Sequence, residues 1–194
     1  YFKVDAAGNQ LPYIDKIVSQ QVTSLDMVSM KHIAGEVDFA RESAAIPKMP
    51  LYKENEQKSG FRAILARRHG HQTEMLLNLT YKDPVWREVV RNKKFRQALN
   101  YAINRKEIID SVFFGYAELP TVNPAEYNVA KATALLDEIG MDKKDANGFR
   151  LGPDGKAFVI PFEWTPRSSE YAPIVELFVQ FWKAVGINTT MKQI

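Results

Sequence analysis

Residues 92–116 leave the chain few ways to fold. They read Asn-Lys-Lys-Phe-Arg-Gln-Ala-Leu-Asn-Tyr-Ala-Ile-Asn-Arg-Lys-Glu-Ile-Ile-Asp-Ser-Val-Phe-Phe-Gly-Tyr, two short helices meeting at Asn104. In the first, Phe95, Ala98, Leu99, Ala102 and Ile103 recur at helical spacing and make one apolar face to bury. Asn92 is placed to cap it, its side-chain oxygen taking an orphan amide of the first turn. Asn104 and Glu107 form an Asn-x-x-Glu variant of the capping box, after which Ile108, Ile109, Val112 and Phe113 face inward. Gly115 supplies the left-handed residue that ends the second helix. Taken as physics alone, this is a buried helical pair with no chemistry in it.

The rest of the chain must supply the surroundings for that pair. Its 194 residues suffice for one ordinary domain or parts of two. With 45% hydrophobic and 25% charged residues, the composition is that of a globular chain. The 26 Lys and Arg exceed the 23 Asp and Glu by only three, and the excess is spread out. The densest basic cluster, Arg67-Arg68-His69-Gly-His71, is short and runs straight into an apolar segment. A nucleic-acid footprint needs a longer basic stripe with interleaved aromatics, so no nucleic-acid partner is expected. The absence of cysteine rules out disulfide frameworks, thiolate metal sites and cysteine nucleophiles. No apolar run approaches the ~18 residues of a membrane span. The chain starts at Tyr1 with no initiator Met and no signal peptide, and its first residues already read as strand and turn. We read it as a piece of a longer protein.

Taken in order, Ala7-Gly8-Asn9 is a turn, and residues 11–17 lead into a strand expected to reach about Val22. Ser24 or Asp26 caps a helix carrying Met27, Met30 and Ile33, and Gly35 stops it before a short buried strand, Val37-Asp38-Phe39-Ala40. Strand, helix and strand in so few residues imply a right-handed parallel crossover. Residues 47–60 are polar and irregular, with Leu51 and Tyr52 on a short helix. Residues 61–66 and 73–80 read as strands. Asp83-Pro84 is a strong helix start, with Val85, Val89 and Val90 following. Asn128 caps a helix with Ala132, Leu135, Leu136 and Ile139 inward, closed by Gly140. Two turns, Asn147-Gly148 and Pro153-Asp154-Gly155, flank residues 149–151. The strand at 158–164 contains Pro161, which suits an edge. Ser168 or Ser169 caps a long helix presenting Ile174, Val175, Phe178, Phe181, Trp182 and Val185, and after Gly186 a last strand runs through residues 187–194. Residues 158–194 therefore make a second βαβ unit.

Catalytic constellations are missing. His69 and His71 share a face if extended, but no further ligand accompanies them, so no metal is expected. His32 stands alone on a helix. Asp137, Glu138 and Asp142 lie beside Lys143 and Lys144 and read as a solvated surface. There is no Gly-x-Ser-x-Gly elbow, no phosphate-binding Gly-rich loop and no Gly-x-Gly-x-x-Gly, so neither a catalytic residue nor a cofactor is assigned. Sheet geometry is more useful, because open α/β sheets collect ligands at the carboxyl ends of parallel strands. Two such ends are Arg41-Glu42 and Trp164-Thr165-Pro166-Arg167. Arg41 and Arg167 offer forks for a carboxylate, and Trp164 a flat face for a sugar or peptide group, unless its ring is core.

The segment Phe-Arg-Gln-Ala-Leu-Asn-Tyr-Ala-Ile-Asn-Arg-Lys-Glu-Ile-Ile resembles the signature of family 5 extracellular solute-binding proteins, the peptide and sugar receptors of bacterial ABC importers. Gly-Asn-Gln-Leu-Pro-Tyr-Ile-Asp-Lys-Ile with Ala-Gly-Glu-Val-Asp-Phe-Ala, and Tyr-Asn with Ala-x-x-Leu-Leu-Asp-Glu-Ile-Gly, resemble it too, so the likeness covers nearly the whole chain. It implies an α/β, periplasmic binding protein-like fold (type II, large cluster), here a partial chain with a mixed sheet and flanking helices. Residues 1–72 would be a portion of the first lobe with the crossover, and 73–194 a portion of the second. Leu76-Leu77-Asn78-Leu79 is similar to the family's crossing strand, which implies a ligand contact for Asn78. The resemblance further implies a periplasmic or extracellular receptor, monomeric at full length, that closes on a peptide or oligosaccharide and delivers it to the membrane permease of an ABC importer. The family's Trp-x-x-Asp-Tyr-type stretch lies beyond Ile194, so peptide specificity does not carry over. The competing reading is a small α/β enzyme acting on a carbohydrate or peptide, which requires a polar constellation at one strand end.

Overall fold

Local capping chemistry sets most of the helix boundaries. The computed structural model of the chain describes residues 2–40, 44–66, 74–119, 126–166 and 168–194. Ser24 accepts the Met27 amide at 3.2 Å and opens α1 (Leu25–Ile33). A 3-10 turn (Ile46–Lys48) leads into α2 (Met49–Ser59), which carries proline in its first turn and closes on Gly60 at φ 70°. Asp83 accepts the amides of Val85 and Trp86 at 2.9 and 3.1 Å to start α3 (Pro84–Arg91). Asn92 accepts the Lys94 amide at 2.9 Å for α4 (Lys93–Ala102), and Asn104 the Glu107 amide at 3.3 Å for α5 (Arg105–Ser111). Instead of accepting the Asn104 backbone amide as in a full capping box, the Glu107 carboxylate accepts from the Asn104 side-chain amide at 3.1 Å. After α5, Phe114 (φ 50°) and Gly115 (φ 78°) are both left-handed, and the Gly115 N–H donates to the Ile109 carbonyl at 3.0 Å. Asn128 caps α6 (Val129–Glu138) through the Lys131 amide at 2.9 Å. Each cap satisfies donors that a helix cannot satisfy itself.

The βαβ unit stands as expected: β1 (Val159–Trp164), α7 (Tyr171–Ala184) and β2 (Asn188–Gln193), the strands parallel and in register from Val159↔Asn188 to Trp164↔Gln193. Among the described residues these two strands form the sheet, so Pro161 does sit on an edge and is exposed. The cap of α7 differs from expectation. It is Glu170 and not Ser168 or Ser169: the Ser168 hydroxyl is engaged as a donor to the Glu170 carboxylate, and Glu170 makes no side-chain cap bond itself.

α3 to α7 and β1 enclose a single core. Val90, Phe95, Ala98, Ala132, Leu136, Met141 and Trp182 are fully buried in it. Trp182 lies 6.0 Å from Phe162 and 5.5 Å from Phe178 between ring centroids, and Phe95 meets Phe158 edge-on at 5.6 Å. Indole N–H groups stitch the layers. Trp182 Nε1 donates to the Leu99 carbonyl of α4 and Trp86 Nε1 to the Val159 carbonyl of β1, each at 3.3 Å.

One cation is buried beside a carboxylate that was expected to belong to a solvated surface. Arg150, 2% exposed, donates to the Val185 carbonyl at 2.8 Å, to the Met141 carbonyl, and to the Asp137 carboxylate at 2.5 Å. Its guanidinium thus closes the carboxyl-terminal ends of α6 and α7 together, where helix dipoles and unpaired carbonyls favour positive charge. Asp137, read as merely solvated, is the half-exposed counter-ion. The backbone follows suit, with Arg150 N–H donating to the Gly186 carbonyl at 2.7 Å.

The first eighty residues depart most from expectation. The turn at Ala7-Gly8-Asn9 is present, tied by Asp5, which accepts the amides of Ala7 and Asn9 at 2.9 and 2.8 Å. The strands expected at 11–22, 37–40, 61–66 and 73–80 do not appear in their described residues, and neither does the first crossover. Ile17, Phe39 and Leu76 are about 85% exposed (85%, 84% and 85%). A strand needs a ladder partner, and among the described residues none lies beside these segments. Residues 47–60, read as polar and irregular apart from a short helix at Leu51 and Tyr52, are helical through Ser59, and α2 buries Tyr52 against α1. Met27 and Met30 are exposed; α1 turns Val28, Ser29 and His32 inward. Among the described residues no helix is long and apolar enough to cross a membrane.

Candidate functional site

β1 ends on Trp164 itself, whose carbonyl accepts the Ile194 amide at 3.0 Å. Its indole is half-buried, so it is neither locked into the core nor fully solvated. The chain then turns through Ser168 and Ser169 into α7. There it comes up against α1 and the segment before α2, leaving a shallow groove lined by Leu25, Asp26, Ser29, Ala45, Lys48, Ser168 and Ser169. Its enclosed space is only about 20 Å³, room for a water molecule and far below the ~300 to ~1,000 Å³ of pockets that enclose a small ligand.

The groove's polar groups are organised. Asp26, in the first turn of α1, lies 3.1 Å from the Lys48 ammonium. The Ser29 hydroxyl donates to the Leu25 carbonyl at 3.4 Å and stands 3.1 Å from the Tyr52 hydroxyl; both residues are buried, at 5% and 4% exposure. The His32 ring packs against Tyr52 at 5.8 Å, and its burial lowers its pKa, so the imidazole stays neutral at neutral pH. Behind Ser168, Glu170 sits at the amino end of α7, where a carboxylate suits the helix dipole. His32 meets the ring of Tyr52 and leaves Ser29 bonded to a hydroxyl and a carbonyl. No base therefore stands within hydrogen-bond reach of Ser29 to activate it as a nucleophile. Among the described residues no group of three or more His, Cys, Asp or Glu side chains could hold a metal ion.

The residues singled out from sequence are only partly brought together. Trp164 precedes the groove's serines by four and five positions. Asn78 is exposed and occupied locally: its Oδ1 accepts both the Thr80 amide and the Thr80 hydroxyl at 3.0 Å, and it does not line the groove. Arg41, Glu42, Arg167, His69, His71 and most of the loop after Tyr116 lie outside the described residues. Sequence reasoning missed Ser29, Tyr52 and Lys48. The available signal was a serine at the i+4 position from Leu25, on the side of α1 that packs on α2.

Comparison with known proteins bears on the family and the fold. Residues 1–194 match the description "Bacterial extracellular solute-binding proteins, family 5 Middle". The chain is 28% identical over 180 residues to a periplasmic alpha-galactoside-binding protein of Rhizobium meliloti (strain 1021), covering 80% of this chain and 26% of that protein. It is 23% identical to the oligopeptide-binding protein AppA of Bacillus subtilis (strain 168), covering 97% of this chain and 36% of that one. It therefore spans between 26% and 36% of these relatives' length. Among solved structures, an oligopeptide-binding protein OppA superposes with a TM-score of 0.61 at 27% identity, over 89% of this chain and 30% of that one. A mannohexaose-bound periplasmic oligopeptide-binding protein from Thermotoga maritima gives 0.64 at 19% identity, over 89% and 34%; at that identity the likeness shows the fold alone. The fold is thus part of a periplasmic binding protein, and the family is one of binding proteins, not of enzymes. This chain belongs to the bacterial extracellular solute-binding proteins of family 5.

Proposed function

We propose that the chain is part of the receptor of an ABC importer, which captures a peptide or oligosaccharide by closing two lobes on it. The observation that carries this reading is the family match, which runs through residues 1–194 without interruption. Relatives named for alpha-galactosides and for oligopeptides support both ligand classes. Residues 1–72 would belong to one lobe and 73–194 to the other. The groove supports that division, since Asp26, Ser29 and Lys48 stand on one side of it and Ser168 and Ser169 on the other. Trp164 would stack on the ligand, Asn78 would donate to it from its amide nitrogen, and Arg41 and Arg167 would meet its charged or polar groups. The full-length receptor would work as a monomer in the periplasm or outside the cell and hand its ligand to a membrane permease.

Lobe closure has an energetic consequence. A micromolar complex corresponds to about 8 kcal/mol, and half of that leaves only about 4 kcal/mol, or millimolar affinity. Calorimetry with oligosaccharides and peptides is therefore expected to detect binding by the full-length receptor and none by residues 1–194 alone. Micromolar binding by residues 1–194, abolished by Trp164→Ala, would place the whole site within this stretch and refute the need for closure by the rest of the receptor. Saturable hydrolysis of a glycoside or peptide that survives repurification would refute the receptor reading.

A further inference from the structure

The hairpin of residues 143–151, which presents Arg150, carries a reactive group that ligand capture does not use: the carboxamide of Asn147 in its turn. Of the ten asparagines in the chain, Asn147 is the one followed by glycine. Residues 146–148 are exposed. Among the described residues the Asn147 side chain makes no hydrogen bond, and its backbone N–H goes to the Asp145 carboxylate at 2.8 Å. The other asparagines are held or hindered. Side chains of Asn9, Asn55, Asn78 and Asn100 are engaged by neighbours, and those of Asn92, Asn104 and Asn128 cap helices. Asn188 lies in β2 ahead of the branched Thr189, and Asn123 precedes Pro124, whose nitrogen carries no hydrogen. Asn147 thus combines an unpartnered carboxamide with a following backbone nitrogen that no Cβ shields.

We infer that Asn147 is a site of spontaneous deamidation, and that its isoaspartate product disturbs the seat of Arg150. The Gly148 nitrogen attacks Asn147 Cγ and gives up its proton. The new N–Cγ bond closes a succinimide as the Cγ–Nδ2 bond breaks and ammonia leaves. Water then opens the ring. Cleavage between the nitrogen and Cγ leaves aspartate; cleavage at the Asn147 main-chain carbonyl leaves isoaspartate, whose backbone runs through Cβ and Cγ. The balance is amide and water giving acid and ammonia. One bond restrains the attack: the Gly148 N–H donates to the Asp145 carbonyl at 3.1 Å, and this exposed turn must open first. The longer isoaspartate backbone has no slack to enter. The Asp145 N–H donates to the Phe149 carbonyl and the Leu151 N–H to the Lys143 carbonyl, both at 2.8 Å, and Lys144 pairs antiparallel with Arg150. The Gly148 carbonyl stands 3.3 Å from the position a Cβ would take on Gly186, so the turn is packed against the end of α7. An extra backbone atom in the turn shifts the pairing of Arg150, and with it the bonds to Val185 and Met141 that join α6 to α7.

The chemistry is independent of any ligand, so each outcome of its test leaves the receptor reading standing. Full-length receptor is aged in warm, mildly alkaline buffer, one sample folded and one in urea. Trypsin then releases residues 145–150 as one peptide for mass spectrometry. That peptide is expected to gain the mass of an amide-to-acid exchange ahead of every other asparagine peptide, more slowly in folded protein than in urea. An isoaspartate methyltransferase should methylate part of the product. Urea unfolding of the aged, folded sample should show a midpoint shifted to lower urea. Asn147→Ser removes a side chain without partners, so it should start at the wild-type midpoint and keep it on ageing. Asn147→Asp adds the charge without lengthening the backbone and should shift the midpoint less than ageing shifts wild type. Earlier conversion at another asparagine, or no conversion of Asn147 in folded protein while the urea sample converts, would overturn the site. Conversion with an unchanged midpoint, an equal shift in aged Asn147→Ser, or a full shift in fresh Asn147→Asp would overturn the link between the lengthened backbone and Arg150.

Discussion

Replacing Trp182 by alanine tests the architecture at its most buried ring. The indole has no exposed surface and fills the space between Phe162, Phe178 and α4. Truncating a buried tryptophan costs about 3–5 kcal/mol in lost burial and residual cavity. Trp182 carries a second contribution, because its Nε1 donates to the Leu99 carbonyl at 3.3 Å. That carbonyl lies in the last turn of α4, where the Ile103 amide goes to Asn100 instead. Left without the indole in a dry core, it adds about 1–3 kcal/mol. A loss of about 4 kcal/mol or more would consume much of the ~5–15 kcal/mol that a domain commands. The melting temperature should drop by about 8–16 °C, at about 2–4 °C per kcal/mol for a chain this long. Urea unfolding followed by circular dichroism, which does not depend on the deleted fluorophore, measures it. Trp182→Phe separates the two contributions, keeping most of the ring and losing the N–H, with an expected cost of about 1–3 kcal/mol. Trp182→Ala melting within a degree or two of wild type would refute the packing of α7 under the sheet. Equal losses for alanine and phenylalanine would refute the division between ring volume and hydrogen bond.

Three further outcomes follow from other parts of the core. Arg150→Met should cost about 3 kcal/mol in chemical denaturation, because the carbonyls of Val185 and Met141 lose a charged donor in a buried setting; a loss below 1 kcal/mol would mean that the guanidinium only decorates the helix ends. Gly186→Ala should destabilise by about 1–3 kcal/mol, since φ is +83° and a new Cβ would stand 3.1 Å from Arg150 Cγ; an unchanged midpoint would contradict that geometry. His32 has a folded pKa below its ordinary 6.5, so the unfolded chain binds this proton more readily; its contribution is intact above about pH 6.5 and is lost as pH falls below it, and His32→Phe should flatten the stability profile in that acid window, whereas an unchanged profile would remove His32 as a cause.

Capping was legible in the sequence because a cap is local. Ser24, Asp83, Asn92, Asn104 and Asn128 each bond an amide two or three residues on, and no other part of the chain is needed to make that bond. Helix α7 and its flanking strands were legible for a related reason, since fourteen residues of strong apolar periodicity specify which face is buried before any partner is known. Family membership could be read in the same helices, whose packing motifs carry the likeness. The groove was not legible. Ser29 and Tyr52 are twenty-three residues apart, and their hydroxyls meet only because α1 packs on α2.

The sequence by itself determined the starts of α1 and of α3 to α6, the turns at Gly8, Gly148 and Gly155, the βαβ unit of residues 158–194 and the family. Tertiary structure decided everything that depends on a distant partner. Apolar residues of mixed period leading to Val22, and the apolar run in residues 73–80, state a capacity for strand, and a strand forms only where another backbone offers its donors and acceptors. Arg150 followed the same logic in reverse. Nothing in the turn-rich stretch around Arg150 marks it for burial, but two helix ends, at Met141 and Val185, converge on it and their carbonyls take its donors. Hydrogen bonds to a neighbour a few residues away are written in the sequence; those that wait on another element are settled only when the elements meet.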